Sequence, residues 1–223
     1  MSQKKFIIDA DTGSDDAVAI LMALRDPRVE VLGVTVVSGN VPLKQGIINT
    51  LSTAELCDVE VKVFAGSDKP LTRGYRELYT LEEFQAHVQA LSPDSISAQC
   101  VHGVDGMGDI GIEPKNKKHE EEDAIEYLVN SFNNNPNEIT LVTLGPLTNI
   151  AKAIQKDSSI VDKIEHCYVM GGTSDGTGNV SAAAEYNIWV DPEAAQIVPS
   201  CGGGCLRCGG SRCPTSPCGC RPI

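Results

Sequence analysis

The stretch FIIDADTGSDDAVAI, residues 6–20, combines a short apolar run, a strongly acidic loop and the start of a helical pattern. Residues 6–8 predict a short buried strand, and apolar residues at helical spacing over residues 16–24 predict a helix after it. Four aspartates lie around this junction: Asp9, Asp11, Asp15 and Asp16. A strand that passes through a loop into a helix is the first half of a βαβ unit, so this stretch sets the expected fold class.

The alternation of strands and helices continues along the chain. Residues 29–37 are rich in β-branched side chains and predict a second buried strand, residues 41–56 predict a helix, and residues 61–64 a third strand. A βαβαβ order implies parallel pairing through right-handed crossovers. We therefore predict an α/β fold, an open and mostly parallel sheet with helices on both faces.

Later segments fit the same architecture. The expected elements are an amphipathic helix at 120–132, a strand at 138–145, a helix at 146–154 with Pro146 near its first turn, a strand at 166–172 and a helix opened by Asp191, Pro192 and Glu193. The polar segment 71–99 predicts a surface insertion or a lid. These elements place the α/β domain at residues 1–198.

The overall composition is that of a globular protein with an acidic surface. Of the 223 residues, 41% are hydrophobic and 22% are charged, and the formal net charge is −12. Nonspecific binding to nucleic acid or to an anionic membrane needs a basic surface, so we expect neither partner. The apolar run near the N-terminus is too short for a signal peptide or a membrane span, which predicts a cytoplasmic protein.

The nine cysteines fall into two groups. Cys57, Cys100 and Cys167 are scattered, as in a reduced intracellular protein, whereas six crowd into residues 201–220. That segment is almost all Gly, Cys, Pro, Ser and Arg and cannot bury apolar surface, so residues 199–223 are predicted to be a disordered tail outside the α/β domain. Cys205 and Cys208 form a CxxC that a zinc knuckle would need, but no second CxxC follows. The composition favours translation of an unintended frame or of a retained intron.

Charge repulsion within the acidic loop predicts a bound cation. In an open parallel sheet, the loops beyond the carboxyl ends of the strands form the ligand site, and this loop follows the first strand. Carboxylates held close together repel each other unless they take up a proton or a cation. Carboxylate oxygens without Cys or His favour a hard ion, so Ca²⁺, which accepts irregular oxygen sets, is the first expectation and Mg²⁺ the second.

Helix capping, an EF-hand and a phosphatase motif each account for the acidic loop less completely than a bound cation. Capping accounts for Asp15 or Asp16, but hardly for Asp9 and Asp11 as well. An EF-hand is excluded because a glycine and an isoleucine stand where ligands belong. A phosphatase of the haloacid dehalogenase type also has Asp-x-Asp-x-Thr after a strand, with Asp9 as the nucleophile and Mg²⁺ as the metal. That alternative leaves Asp15 and Asp16 without a role.

Six motifs follow one another along the chain. They are DADTGSDDAVAI (9–20), VVSGN (36–40), HGVDGMG (102–108), TLGPLTNIA (143–151), VMGG (169–172) and EYNIWVDPEAA (185–195). In this order the motifs resemble those of the nucleoside hydrolases of the inosine-uridine preferring type, and the resemblance extends over residues 6–198. It implies an N-glycosyl hydrolase that uses bound Ca²⁺ to cleave a ribonucleoside substrate to ribose and free base.

The resemblance also implies roles for individual residues. Asp11, Asp16 and the main-chain carbonyl of Leu144 would bind the ion, Asp11 would deprotonate the attacking water, and Asp9 would support the loop. The residues expected around the ribose and the nucleobase are Asp15, Asn40, His102, Met170, Asn179, Glu185 and Asn187. Anionic and amide oxygens around the sugar suit a reaction that builds positive charge on the ribose ring.

Members of this family continue for roughly a hundred residues beyond the last motif, within the ordinary size of a domain. That further part supplies another Asp ligand and a His for the leaving base. The resemblance therefore predicts that this chain is a truncated form that binds Ca²⁺ weakly and hydrolyses nucleosides poorly. A non-catalytic isoform that binds nucleoside or pairs with a full-length counterpart stays open, as do a homo-oligomer and the choice between purine and pyrimidine.

Overall fold

The computed structural model describes residues 3–71, 102–116, 118–173, 176–180, 182–200 and 206–208. Within these residues the chain forms one sheet flanked by helices. The strands are β1 (Lys4–Ala10), β2 (Val29–Val36), β3 (Val63–Ala65), β4 (Ile139–Thr143), β5 (His166–Val169) and β6 (Leu206–Cys208). The helices are α1 (Ser14–Arg25), α2 (Leu43–Leu56), α3 (Ala124–Asn134), α4 (Thr148–Lys156), α5 (Tyr186–Val190) and α6 (Pro192–Ser200), with a 3-10 helix at Ser158–Lys163.

The six strands lie in the order β3-β2-β1-β4-β5-β6, and every neighbouring pair is parallel. The strand from the opening acidic motif, β1, lies inside the sheet, where Asp9 pairs with Thr35 of β2 and Thr143 of β4. This order and pairing confirm the predicted open parallel sheet.

Alternate residues of β1 enter two different apolar clusters, as a strand that is buried on both faces requires. Ile7 packs with Leu128 of α3 and Ile150 of α4, whereas Ile8 packs with Ile20 of α1. Helix α2 covers Val36 and Val63 at the β2–β3 end of the sheet. The predicted placement of helices on both faces is therefore confirmed.

The structure corrects the ends of several predicted elements. Helix α3 begins at Ala124 and not at residue 120, because the Asp123 side chain caps it by accepting a hydrogen bond from the backbone N–H of Ile125. Helix α4 begins at Thr148 with Leu147 as its N-cap, and not at residue 146, so Pro146 lies just before the helix and near its first turn. Strands β4 and β5 both stop before the glycines that follow them.

Some of the predictions concern residues outside the described part of the chain, including 72–99 and most of the Cys-rich segment. Helix α6 continues to Ser200, and the backbone of β6, within the predicted tail, pairs with β5. The boundary at residue 198 and the nature of the tail stay predictions. Among the described residues, no helix is long and apolar enough to cross a membrane.

Candidate active site

The carboxyl ends of β2, β1, β4 and β5 lie side by side at one edge of the sheet, because these strands are parallel neighbours. The residues that follow them include Asn40 after β2, Asp11 after β1, Leu144 after β4 and Met170 after β5. Ligands of open α/β sheets bind in the crevice at this edge. The fold therefore brings predicted site residues from four distant parts of the sequence to one place.

Asp11 is fully buried and is held by the loops that follow the strands on either side of β1. Its Oδ2 atom accepts a hydrogen bond from the backbone N–H of Asn40 at 2.5 Å. A Cβ atom at Gly39 would overlap the carboxylate, and one at Gly145 would lie 2.8 Å from Oδ1. Only glycine lets both loops approach so closely. Oδ1 has no hydrogen-bond partner among the described residues, so one oxygen is left for a ligand.

Asp16 lies in the first turn of α1 and is only 7% exposed. Burial, followed by the charges of Asp11 and Asp15, raises the pKa of Asp16 to about 9. Burial also raises the pKa of Asp11, although the hydrogen bond from Asn40 opposes this. Two buried carboxyl groups that both resist ionisation need a proton or a cation between them.

Capping of α1 does not account for this arrangement. The N-cap residue is Gly13, and no side-chain hydrogen bond caps the helix. Asp15 is the exposed member of the acidic loop, with 66% of its side chain accessible, while Asp9, Asp11 and Asp16 are buried. The acidic loop therefore holds three carboxyl groups away from water for a reason other than helix capping.

Asp9 lies behind Asp11 in a buried network of polar side chains. Its Oδ1 atom accepts hydrogen bonds from Thr35 Oγ1 at 2.5 Å and from Asn149 Nδ2 at 2.8 Å. Burial raises the pKa of Asp9 to about 7, and these two hydrogen bonds limit the rise. The side chain is fully buried, which does not fit the exposed nucleophile that the phosphatase alternative requires.

Replacing Asp9 with asparagine is expected to reduce the pH dependence of stability in the metal-free protein by the part that belongs to Asp9. The folded pKa of about 7 exceeds the unfolded value of 3.8, so the unfolded chain releases its proton first as the pH rises. The stabilising contribution of protonated Asp9 is full below the unfolded pKa and is lost as the pH rises to the folded one, by about 4 kcal/mol in all.

Urea unfolding at about pH 4 and about pH 8 measures this loss. Asp58→Asn, at an exposed aspartate, is the matched control and is expected to follow the wild type. An Asp9→Asn variant that lost as much stability as the wild type over this range would show that another group is responsible.

Asn187, at the start of α5, connects the loops after β4 and β5. Its Nδ2 atom donates to the carbonyl of Leu144 at 2.7 Å and contacts the carbonyl and Sδ of Met170 at 3.2 and 3.1 Å. These contacts fix the orientation of the amide, and its Oδ1 atom is buried without a partner among the described residues. The amide oxygen is therefore presented in a fixed position for a hydrogen-bond donor.

Glu185 and Asn179 organise the approach to α5. The Glu185 carboxylate caps α5 by accepting hydrogen bonds from the backbone N–H groups of Asn187 and Ile188, and it also accepts one from Gly172. Asn179 Oδ1 accepts a hydrogen bond from the backbone N–H of Tyr186 at 2.8 Å. Both side chains thus have structural roles here, and their predicted contacts with a ligand stay predictions.

His102 lies near the start of α1, against Ser14 and Asp15. Its Nδ1 atom is 2.8 Å from Ser14 Oγ and 3.8 Å from Asp15 Oδ1. The loop that follows is tied to α2, because Asn49 Nδ2 donates both to the carbonyl of Asp105 and to that of Thr12, each at 2.9 Å. The loop 102–109, called the histidine loop, is therefore fixed to the acidic loop at residues 9–16.

Sequence reasoning missed several residues that position the site. Asn149 lies within the motif TLGPLTNIA, yet the motif alone assigns it no role; its side chain joins Asp9, the carbonyl of Val36 and the backbone N–H of Ser67. The sequence signal for a buried, hydrogen-bonded Asn149 was its place next to the apolar pair Ile150 and Ala151. Asn49 carried the weaker signal of a polar residue within a helix.

The predicted metal ligands form a small set. Among the described residues, no group of three or more His, Cys, Asp or Glu side chains is placed to hold a metal ion. The predicted set has two carboxylates, Asp11 and Asp16, and it relies on the carbonyl of Leu144 for a further oxygen. That carbonyl already accepts the hydrogen bond from Asn187, which leaves it one lone pair.

Comparison with known proteins gives a consistent result. The family model described as inosine-uridine preferring nucleoside hydrolase matches residues 6–207. Uridine nucleosidase 1 of Arabidopsis thaliana is 39% identical over 196 residues, which are 87% of this chain and 53% of the plant protein. The pyrimidine-specific ribonucleoside hydrolase RihB of Escherichia coli (strain SE11) is 36% identical over 198 residues, 89% of this chain and 56% of the bacterial one.

A solved structure also matches this chain over most of its length. The purine-preferring ribonucleoside hydrolase from Gardnerella vaginalis superposes with a TM-score of 0.79 at 35% identity, covering 92% of this chain and 60% of that one. The chain thus spans somewhat more than half the length of the relatives it matches.

Proposed function

Because this chain belongs to the inosine-uridine preferring nucleoside hydrolase family, we propose that it hydrolyses the N-glycosidic bond of ribonucleosides to give ribose and free base. The observation that carries the proposal is the buried pair Asp11 and Asp16 at the carboxyl edge of the sheet, each with an oxygen that lacks a hydrogen-bond partner among the described residues. Such a pair provides negative charge and free lone pairs where a ligand of an α/β sheet binds.

The donor set fits a hard divalent cation, and Ca²⁺ is our proposal. The candidate donors are all oxygens, from Asp11, Asp16 and the carbonyl of Leu144, and such ligands suit Ca²⁺ or Mg²⁺ better than softer metals. A cation site without its cation is expected to have carboxylate oxygens that lack partners and raised pKa values. Asp11 Oδ1 and Asp16 Oδ2 have no hydrogen-bond partner among the described residues, and the pKa values of both residues are raised. When bound, the ion would make a neighbouring water molecule easier to deprotonate.

Asp11 is proposed to take the proton from the attacking water. Its carboxylate is buried and fixed through Asn40, and burial raises its pKa, which makes the ionised form a stronger base. Behind it, Asn149 donates hydrogen bonds to Asp9 and to the carbonyl of Val36. The Asp11 carboxylate would take up the proton on a lone pair that the ion does not occupy.

The ribose is proposed to lie between the loops after β1, β2 and β5. Asn187 Oδ1, fixed by the contacts of its Nδ2 atom, would accept a hydrogen bond from a ribose hydroxyl. Asp15, Asn40, Asn179 and Glu185 would supply further oxygens, and Met170 an apolar surface beneath the sugar. Negative and amide oxygens around the ring would stabilise the positive charge that develops as the glycosidic bond breaks.

Release of ribose from inosine and from uridine tests this proposal, because the relatives differ in the base they prefer. We expect ribose and free base to form in equal amounts with Ca²⁺ present, and removal of metal by EDTA to slow the reaction by at least about a hundredfold. Hydrolysis of a phosphomonoester serves as the control and is expected to be absent. Failure to release ribose from either nucleoside, or a rate that EDTA does not change, would overturn the proposal.

A further inference from the structure

His102 is held at two points by contacts of different kinds. The carbonyl of its backbone accepts a hydrogen bond from the N–H of Gly108 at 2.6 Å, within a loop where Gly103 and Gly108 have positive φ angles. Its ring lies against the start of α1, where a Cβ atom at Gly13 would come within 3.5 Å of Nδ1. The side chain is only 13% exposed. Both the position of the residue and the plane of its ring are therefore constrained.

The ring contact is made by Ser14, the first residue of α1. Ser14 Oγ lies 2.8 Å from Nδ1, and the start of the helix does not depend on this hydroxyl, because no side chain caps α1. Asp15 Oδ1 lies 3.8 Å from the same nitrogen. A nearby carboxylate favours a proton on Nδ1, and Nδ1–H can then donate to the serine oxygen.

We propose that Ser14 is a positioning residue for His102. Its hydroxyl oxygen accepts a hydrogen bond from Nδ1–H, which fixes the tautomer and leaves Nε2 as an acceptor for a ligand. Among the described residues, Nδ1 is the ring atom with a polar contact, so Nε2 remains for a hydroxyl or an amide N–H of the ribonucleoside. This inference rests on the proposed function, since it names the group that meets the substrate.

A double-mutant cycle tests whether Ser14 acts through His102. Ser14→Ala is expected to lower kcat/KM about fivefold, the usual size for one hydrogen bond. Ser14→Thr, which keeps the hydroxyl, is expected to stay within about twofold of the wild type. Adding Ser14→Ala to His102→Ala is expected to cause no further loss, since the partner is already gone.

Ser159→Ala is the matched control, because Ser159 is also in the first turn of a helix but lies in the 3-10 element away from the carboxyl edge of the sheet. It is expected to leave kcat/KM unchanged. A full effect of Ser14→Ala in the His102→Ala background, or a Ser14→Thr variant as impaired as Ser14→Ala, would overturn the proposal.

Nuclear magnetic resonance of protein labelled with ¹⁵N-histidine gives a readout that does not need activity. In the wild type, His102 is expected to show a protonated Nδ1 and an unprotonated Nε2, and Ser14→Ala is expected to shift both signals towards a mixture of tautomers. The His102→Ala variant identifies the signals. A proton on Nε2 in the wild type, or signals that Ser14→Ala leaves unchanged, would overturn the positioning role even if ribose release had failed for other reasons.

Discussion

Replacing Asp11 with asparagine is expected to reduce ribonucleoside hydrolysis by at least about a thousandfold. Asp11 is proposed both to bind the cation and to accept the proton of the attacking water, and an amide is a poor base and a weaker ligand. The rate of ribose release measures the first role. The affinity for Ca²⁺, measured by titration calorimetry, measures the second and is expected to fall in the same variant.

The same substitution is expected to increase the stability of the metal-free protein. Burial, followed by the charges of Asp11 and Asp15, raises the pKa of Asp16, and the carboxyl groups of Asp11 and Asp16 oppose each other when both are ionised. The asparagine oxygen can still accept the hydrogen bond from Asn40, while its NH₂ group can face Asp16. Thermal unfolding with EDTA present should therefore show a higher melting temperature for Asp11→Asn than for the wild type.

A substitution that lowers activity but raises stability acts on the function of the residue, whereas damage to the fold would lower both. Asp58→Asn is the control, since Asp58 is exposed just after the end of α2, and neither quantity is expected to change in it. If Asp11→Asn cleaved nucleosides at the wild-type rate, Asp11 would be neither the base nor an essential ligand. A variant that lost both activity and stability would point to disruption of the loops around Asp11.

The sequence predicted which residues meet at the carboxyl edge of the sheet because their position follows from chain topology. Once the strands alternate with helices, their carboxyl ends must lie at one edge, and the residues that follow β1, β2, β4 and β5 must meet there. Asp11, Asn40, Leu144 and Met170 do so. The individual roles of these residues depend on the family resemblance and stay proposals.

Contacts that cross from one element to another were harder to predict. Asn149 bonds Asp9 across 140 positions of sequence, and nothing local to either residue identifies the other as its partner. Ser14 and His102, 88 positions apart, meet only because the histidine loop folds over α1. Such pairs are set by tertiary packing, which periodicity within one segment does not contain.

Errors at the ends of elements had local causes. Asp123, followed by Glu126, forms the Asp-x-x-Glu pattern of a helix start, and it places the beginning of α3 at Ala124 more accurately than the apolar periodicity did. Before α4, Gly145 must approach the Asp11 carboxylate, so the chain turns there and the helix begins only after Leu147. The loop 144–147, which approaches Asp11, therefore makes β4 end earlier and α4 begin later than the sequence predicted.

Binding of Ca²⁺ is expected to release about one proton from the protein near neutral pH, and the affinity for Ca²⁺ is expected to rise about tenfold per pH unit between about pH 6 and about pH 8. The pKa of Asp16 is about 9 in the metal-free protein, so the pair with Asp11 still holds a proton in this range. A cation needs both carboxylates ionised and must displace that proton. Raising the pH lowers the free energy needed to remove the proton until the pH exceeds the pKa of Asp16.

Titration calorimetry in buffers of different ionisation enthalpy gives the number of protons released, since the measured heat changes in proportion to it. Asp16→Asn removes the proton together with the carboxylate, so the variant is expected to bind Ca²⁺ more weakly and with little pH dependence. Release of no proton by the wild type would mean that the pair is already ionised without metal. An unchanged pH dependence in Asp16→Asn would place the proton on another group, and Asp9, whose pKa is about 7, would then be the residue to replace next.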